Sequence, residues 1–222
     1  KHNVNALLGH EYYDRKTTWL SAYGMGLFSE AIPELDAAAK KADASSYTEE
    51  YNVEGYFGSV QYNYDDRYFA SASYRRDASS RFAKDRRWGD FWSVGAAWLV
   101  NKEAFFHAPW VDELKLKFSI GQQGNDNIGE RTMAMREFAF TDMYNLVAAS
   151  DSQMSATFWR IGNPEITWET ATNLNIGLEF SLFSGRLSGS LDYYNKTTTD
   201  LLFWLSVPEA AGSRGYYGNT GD

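Results

Sequence analysis

Cysteine is absent from the 222 residues, which excludes disulfides and thiolate zinc sites. Proline is scarce, at 4, and no stretch approaches the ~18 consecutive apolar residues of a membrane-spanning helix. A helical membrane protein is therefore excluded. Histidine is also sparse: His2, His10 and His107 share no metal-ligand spacing. No Gly-x-Ser-x-Gly or His-Glu-x-x-His motif occurs, so the sequence predicts no enzyme, no metal and no cofactor. Basic residues are outnumbered, 21 against 29 acidic, and the net charge of −8 argues against nucleic acid as a partner. What is abundant is aromatic: 15 Tyr, 14 Phe and 8 Trp. That wealth reconciles a hydrophobic content of 44% with a mean hydropathy of −0.49, and it excludes disorder.

Period-2 alternation dominates the chain. Leu174, Ile176, Leu178, Phe180 and Leu182 share one phase, with Asn173, Asn175, Gly177, Glu179 and Ser181 in the other. Leu187, Gly189, Leu191 and Tyr193 repeat the pattern, as do Leu114, Leu116, Phe118 and Ile120. Shorter runs surround Val4 to Leu8, Val60 to Tyr62, Ala70 to Tyr74 and Trp92 to Trp98. These predict seven strands, with an eighth beginning after Tyr217.

The connections alternate in length. Tight turns are predicted at Asp65-Asp66 and Ser184-Gly185, and a medium segment at 101–112 with a helical turn at Glu103–Phe106. Long loops are predicted at 15–50, 79–87, 124–168 and 200–216. Short turns at one end and long loops at the other mark an antiparallel up-and-down transmembrane β-barrel. A soluble carbohydrate-binding β-sandwich is the alternative, since it too alternates. The barrel is favoured by strands of about ten residues, the ~9–11 of membrane barrels, and by an apolar phase free of charge. Tyr56 and Tyr62, Tyr68 and Tyr74, and Trp92 and Trp98 bracket that phase as aromatic girdles do. On this reading Val94, Trp98, Leu116, Phe118, Ile176, Leu178, Phe180 and Leu191 face lipid.

Several phrases are more specific than a pattern. Ser71-Ala-Ser-Tyr-Arg-Arg-Asp-Ala-Ser-Ser-Arg-Phe82 and Arg87-Trp-Gly-Asp-Phe-Trp-Ser-Val-Gly-Ala-Ala-Trp98 resemble the SusC/RagA family of TonB-dependent outer-membrane transporters. So do Leu114-Lys-Leu-Lys-Phe-Ser-Ile-Gly-Gln-Gln-Gly-Asn125, Gly162-Asn-Pro-Glu-Ile-Thr-Trp-Glu-Thr170, Asn175–Phe180 and Arg186–Lys196. The resemblance implies a 22-stranded barrel, of which this chain supplies seven to eight strands as part of a single barrel domain over 1–222. It also implies a plug, a SusD-like surface lipoprotein, power from TonB, and import of oligosaccharides or peptides. The setting would be the outer membrane of a Gram-negative, Bacteroidetes-like cell, in contact with lipid and lipopolysaccharide. Signal peptide, TonB box, plug and final strand have no counterpart in the sequence, so a piece of a longer polypeptide is expected.

Ligand contacts are expected from flat aromatic faces in the long loops, which match the apolar faces of sugar rings. Trp19, Tyr23, Tyr47, Phe158, Trp159 and Trp168 are the candidates, with packing of the loops as the other reading. Arg75, Arg76, Arg81, Lys84, Arg86 and Arg87 form a basic cluster that reads first as a rim network with Asp77, Asp85 and Asp90. Anionic lipopolysaccharide or an anionic substrate is the other reading. Asn125–Glu130 carries oxygen ligands but lacks the spacing of an EF-hand. The segment 34–43 reads as a short helix able to contact the lipoprotein.

Overall fold

Strict alternation gives each strand two different faces, and the register between strands decides whether those faces become continuous surfaces. The computed structural model describes residues 1–128, 137–150, 153–208, 210, 212–213 and 215–221. Its strands are β1 His2–Leu27, β2 Ala38–Tyr64, β3 Tyr68–Ser79, β4 Trp88–Leu99, β5 Val111–Asn125, β6 Met143–Ser150, β7 Gln153–Arg160, β8 Glu169–Leu182, β9 Leu187–Thr199, β10 Leu201–Ser206 and β11 Gly215–Thr220. One antiparallel sheet holds seven of them in the order β1-β2-β3-β4-β5-β8-β9. The seven predicted strands are these seven, in an up-and-down meander.

Register aligns the apolar phases. Val60, Ala72, Val94, Ile120 and Leu174 stand opposite one another across five strands. One row nearer the short turns, Tyr62, Ala70, Ala96, Phe118, Ile176 and Tyr193 do the same. On the other face Ser59, Ser73, Ser93, Gly121, Asn173 and Lys196 form the matching polar row. A sandwich would cover the apolar face with a second sheet. Here it is bare: Leu191 is 67% exposed and Ile176 49%. The buried hydrophobic cluster consists of Phe82, Phe91, Ile128, Ala139, Ile166, Trp168 and Tyr217, which belong to the mouth.

Two aromatic rows bound the apolar face. Toward the turns, Tyr64, Tyr68 and Trp98 stack with centroids 6.1 and 6.3 Å apart. Toward the loops stand the Tyr74 and Trp92 pair and, one step further, Tyr56 against Trp88 at 6.2 Å. Six residues separate Tyr68 from Tyr74, or ~20 Å of strand. Toward the loops, charges enter the outward phase only beyond that, as Glu54, Arg76 and Asp90.

The tight turns follow from backbone conformation. Asp65 and Asp66 both have positive φ, 54° and 52°, as the two central residues of a primed β-turn require, and the Arg67 N–H closes the turn on the Tyr64 carbonyl at 3.1 Å. Asn63 supports it by accepting the Asp66 N–H at 3.0 Å. The second turn uses Phe183 and Ser184 at φ 57° and 58°, then Gly185 at 76°.

The long connections depart from expectation. Most of 15–50 is strand: β1 and β2 pair continuously out to Leu27 and Ala38, with one register shift at Tyr23/Gly24. Because β3 pairs with β2 only from Val53 onward, residues 38–52 of β2 and their β1 partners form a two-stranded ribbon. Within 34–43 only Leu35–Ala37 is helical, a single 3-10 turn, and strand follows. The segment 124–168 carries the separate hairpin β6–β7, and 200–216 carries β10. At 101–112 a 3-10 turn lies at Val100–Lys102, and the predicted turn at Glu103–Phe106 follows it, closed by the Phe106 N–H on the Glu103 carbonyl at 3.0 Å. The expected eighth strand is β11, which pairs with β10 rather than joining the wall.

Candidate functional site

The polar face of the wall carries an ion network near the turn end. Lys117 reaches Glu179 at 2.6 Å and Asp192 at 3.5 Å, and Lys115 reaches Glu179 at 3.2 Å. Around it Asn3, Asn5, Gln61, Asn63 and Asn175 line a recess of about 1100 Å³. Amides and paired charges make this a wet surface able to hydrogen-bond a polar solute.

Above it, the loops are tied to the wall by a buried polar knot. Arg81 is 5% exposed. Its Nη1 donates to Asp126 Oδ1 at 3.2 Å and its Nη2 to Glu137 Oε1 at 3.1 Å. Its guanidinium lies 4.2 Å from the Tyr51 ring centroid. Asp126 also accepts the Tyr51 hydroxyl at 2.7 Å and the Ser79 hydroxyl at 2.6 Å. Burial opposes the Arg81 charge, but Glu137 and Asp126 outweigh it and hold its pKa above the ordinary value. Burial, then the hydrogen bond to Asp126, pushes the Tyr51 phenol up. Beside the knot, Trp168 packs edge-on to Phe91 at 5.4 Å and donates its indole N–H to the Arg87 carbonyl at 2.8 Å. The Phe91 ring lies directly over Gly124, where any side chain would collide with it.

Beyond the knot the ribbon continues the inward phase of the wall. Arg15, Trp19 and Tyr23 lie in the same phase as Asn3 and Asn5, and Tyr51 and Tyr47 stand opposite Arg15 and Trp19. Trp19 stacks on Tyr47 at 5.3 Å and 27° while both stay about half exposed.

A family model for the TonB dependent receptor-like β-barrel matches residues 2–222. The chain belongs to that family. The TonB-dependent receptor P26 of Formosa agariphila is 31% identical over 99% of this chain, and SusC of Bacteroides thetaiotaomicron is 32% identical over 77%. The structure of the RagAB peptide transporter superposes on 100% of the chain with a TM-score of 0.88 and 27% identity. The chain spans 22% and 17% of the two relatives and 24% of that transporter chain. The SusC/RagA resemblance and the barrel architecture are thereby shown.

The structure sorts the candidate residues into four groups. Trp19, Tyr23 and Tyr47 share the ribbon's inward phase. Phe158 packs edge-on to Tyr144 at 5.6 Å on the separate β6–β7 hairpin, and Trp159 lies beneath the Arg160 guanidinium on that hairpin's other phase. Trp168 is a correction: 9% exposed in the mouth cluster, it holds loops together. Val94, Leu116, Phe118, Ile176 and Leu191 are exposed on the apolar face, and Trp98, Leu178 and Phe180 are partly covered on it.

The basic cluster is a rim network, as expected: Asp77 and Asp90 serve as partners as predicted, Asp85 does not pair with Arg86, and further partners come from distant segments. Arg75 pairs with Asp77 at 2.8 Å and Glu11 at 3.0 Å, and Arg76 with Asp90 at 3.6 Å. Arg86 pairs with Glu165 rather than Asp85. The knot around Arg81 draws on Asp126 and Glu137, which no local spacing connects to it. His10 and Glu11 point to opposite faces, bonding Glu54 and Arg75 respectively. Part of the Asn125–Glu130 segment lies outside the described residues. Among the described residues no group of three His, Asp or Glu is arranged to hold a metal.

Proposed function

We propose that the chain is the later part of the barrel wall of a SusC/RagA-type importer, one barrel domain over 1–222 of a longer transporter. It works in the outer membrane of a Gram-negative, Bacteroidetes-like cell, draws energy from TonB through a plug elsewhere in the polypeptide, and breaks no bonds in its cargo. The observation that carries this is the two-faced seven-stranded sheet, which follows the wall of a peptide transporter along its whole length.

The cargo class we assign is an oligosaccharide. The ribbon supports it: Trp19 and Tyr47 present adjoining ring faces in the phase that leads into the lumen, with Asp43 opposite Tyr23 for sugar hydroxyls. A peptide is the second reading, favoured by the cargo of RagAB. Calorimetry on the full transporter with panels of neutral oligosaccharides and of oligopeptides distinguishes them. Binding of a glycan that weakens in W19A supports the assignment; peptide binding alone overturns it.

A SusD-like surface lipoprotein is the proposed partner of the ribbon. An isolated two-stranded hairpin is marginally stable in water, so one this long gains from a covering surface. Trimming residues 26–46 should weaken co-purification of the two proteins while the barrel still assembles. Equal recovery of the pair would remove the ribbon tip from the interface.

A further inference from the structure

The outward face carries one concavity that a plain barrel wall lacks. Near the turn end, Phe106, Ala108 and Trp110 of the β4–β5 connection border it, and Val111, Leu114, Leu178, Phe180 and Leu182 of the wall form its floor. Together they enclose about 520 Å³, a volume typical of small-molecule sites, with no polar residue in the lining. A bulge creates it. The register shift between Val111 and Glu113 sets Val111 opposite Leu182 while Leu114 stays opposite Phe180, so both reach the outward phase. The overhang is fixed in place: Phe183 donates its N–H to the Trp110 carbonyl at 2.8 Å and stacks on the Trp110 ring at 5.8 Å. Gly185 donates to Asp112 at 2.9 Å, locking the two turns side by side.

We infer that this groove holds one acyl chain of a glycerophospholipid of the periplasmic leaflet. The inference rests on the membrane placement given above. Short turns lie on the periplasmic side of such barrels, which puts the groove in the leaflet made of glycerophospholipid. The groove is continuous with the lipid-covered face through Leu178 and Leu116. Hydrocarbon gains little from leaving lipid for an apolar wall, so selectivity comes from packing against two sides rather than one and from the head group. Exposed Arg186, in the Phe183 turn, stands where a phosphate at the membrane boundary would meet it.

The test reconstitutes the full transporter in phosphatidylethanolamine nanodiscs with a trace of the same lipid carrying a diazirine at the chain end. After illumination, adducts are mapped by mass spectrometry. Adducts concentrated in 106–114 and 178–182, reduced about tenfold in A108W and lowered in R186E, support the groove; tenfold corresponds to ~1.4 kcal/mol. The barrel-specific gel mobility of A108W shows that it has folded, and L178F provides a second, milder filling. Adducts spread evenly over Val94, Phe118 and Ile176, or a pattern unchanged in both filled variants, overturn the groove and leave the membrane face intact. Absence of adducts from the whole outward face overturns the membrane placement as well.

Discussion

Replacing Arg81 by Met tests whether the buried knot fastens the loops to the wall. The substitution keeps an apolar stem beside Tyr51 and removes the charge between Asp126 and Glu137. Glu137 is 2% exposed and Asp126 lies partly covered, so both carboxylates lose their counterion where water cannot replace it. Breaking a buried pair from one side costs ~3–5 kcal/mol. The lower end applies here, because Arg15 stands 3.9 Å from Glu137 and can close on it, and because Tyr51 and Ser79 still donate to Asp126. At ~1.4 kcal/mol per decade, ~3 kcal/mol is a rise of roughly a hundredfold in local opening. Hydrogen exchange on the full transporter should show it at the amides of 79–82 and 126–128, with 70–74 and 116–120 unchanged. The double variant R81M/E137Q should recover part of the protection, since only Asp126 then remains unbalanced. An R81M protein whose mouth amides exchange within a few-fold of wild type would refute the reasoning, and so would loss of protection along the whole wall.

Other expectations follow from the same coordinates. An Arg at Val94 or Ile176 should destabilise the folded barrel by ~2–4 kcal/mol in denaturant titration, and S119R, on the wet face, by clearly less. Nitroxide labels at 94, 118 and 178 should be relaxed by lipid-dissolved oxygen and those at 119 and 175 by an aqueous reagent; the reverse pattern would mean the faces are exchanged. G124A should cost ~1–3 kcal/mol, because its methyl group meets the Phe91 ring and overpacks the mouth, which thermal unfolding would register. Tyr51 should make the ribbon base alkali-sensitive. Its phenol is raised in the folded state, so above the unfolded value of ~10 the unfolded form sheds its proton first and stability falls as pH rises. In Y51F that part of the alkaline loss should disappear from the exchange profile of 50–53.

The wall was legible because the membrane imposes a demand on every second residue. Leu174 to Leu182 and Val94 with its neighbours must be apolar on one side and polar on the other, and period 2 records this locally. Asp65-Asp66 was legible for a comparable reason, since few residues accept two successive positive φ values. The ribbon was not legible. Past Thr17 both of its faces meet water, so Trp19 and Tyr47 stack on one side, with Lys16 and Glu50 paired on the other just below, and no alternation betrays a strand. Composition there looks like loop. Trp168 was misplaced for a different reason: its neighbours Phe82 and Phe91 are far away in sequence, and only the folded register brings them together. The Arg81 knot likewise joins residues 45 and 56 positions apart.

These differences divide the chain into three tiers along the barrel axis. In the wall each strand from β2 through β5 to β8 is held by ladders on both sides. At the mouth the fastening passes to side chains: the knot, the Trp168 cluster, and the Asn52 and Ser80 pair, whose backbones and hydroxyl exchange hydrogen bonds at 3.0 Å. Over residues 38–52 of β2 the ribbon has a ladder on one side of each strand and about fifteen residues of reach, ~50 Å at ~3.3 Å each. Local opening free energy falls with fastening of this kind. The stacked Trp19 and Tyr47 therefore sit on a lightly secured element, fastened at its base by the Tyr51–Asp126 and Arg15–Glu137 contacts. The same few polar contacts both close the mouth and anchor the ribbon to the wall.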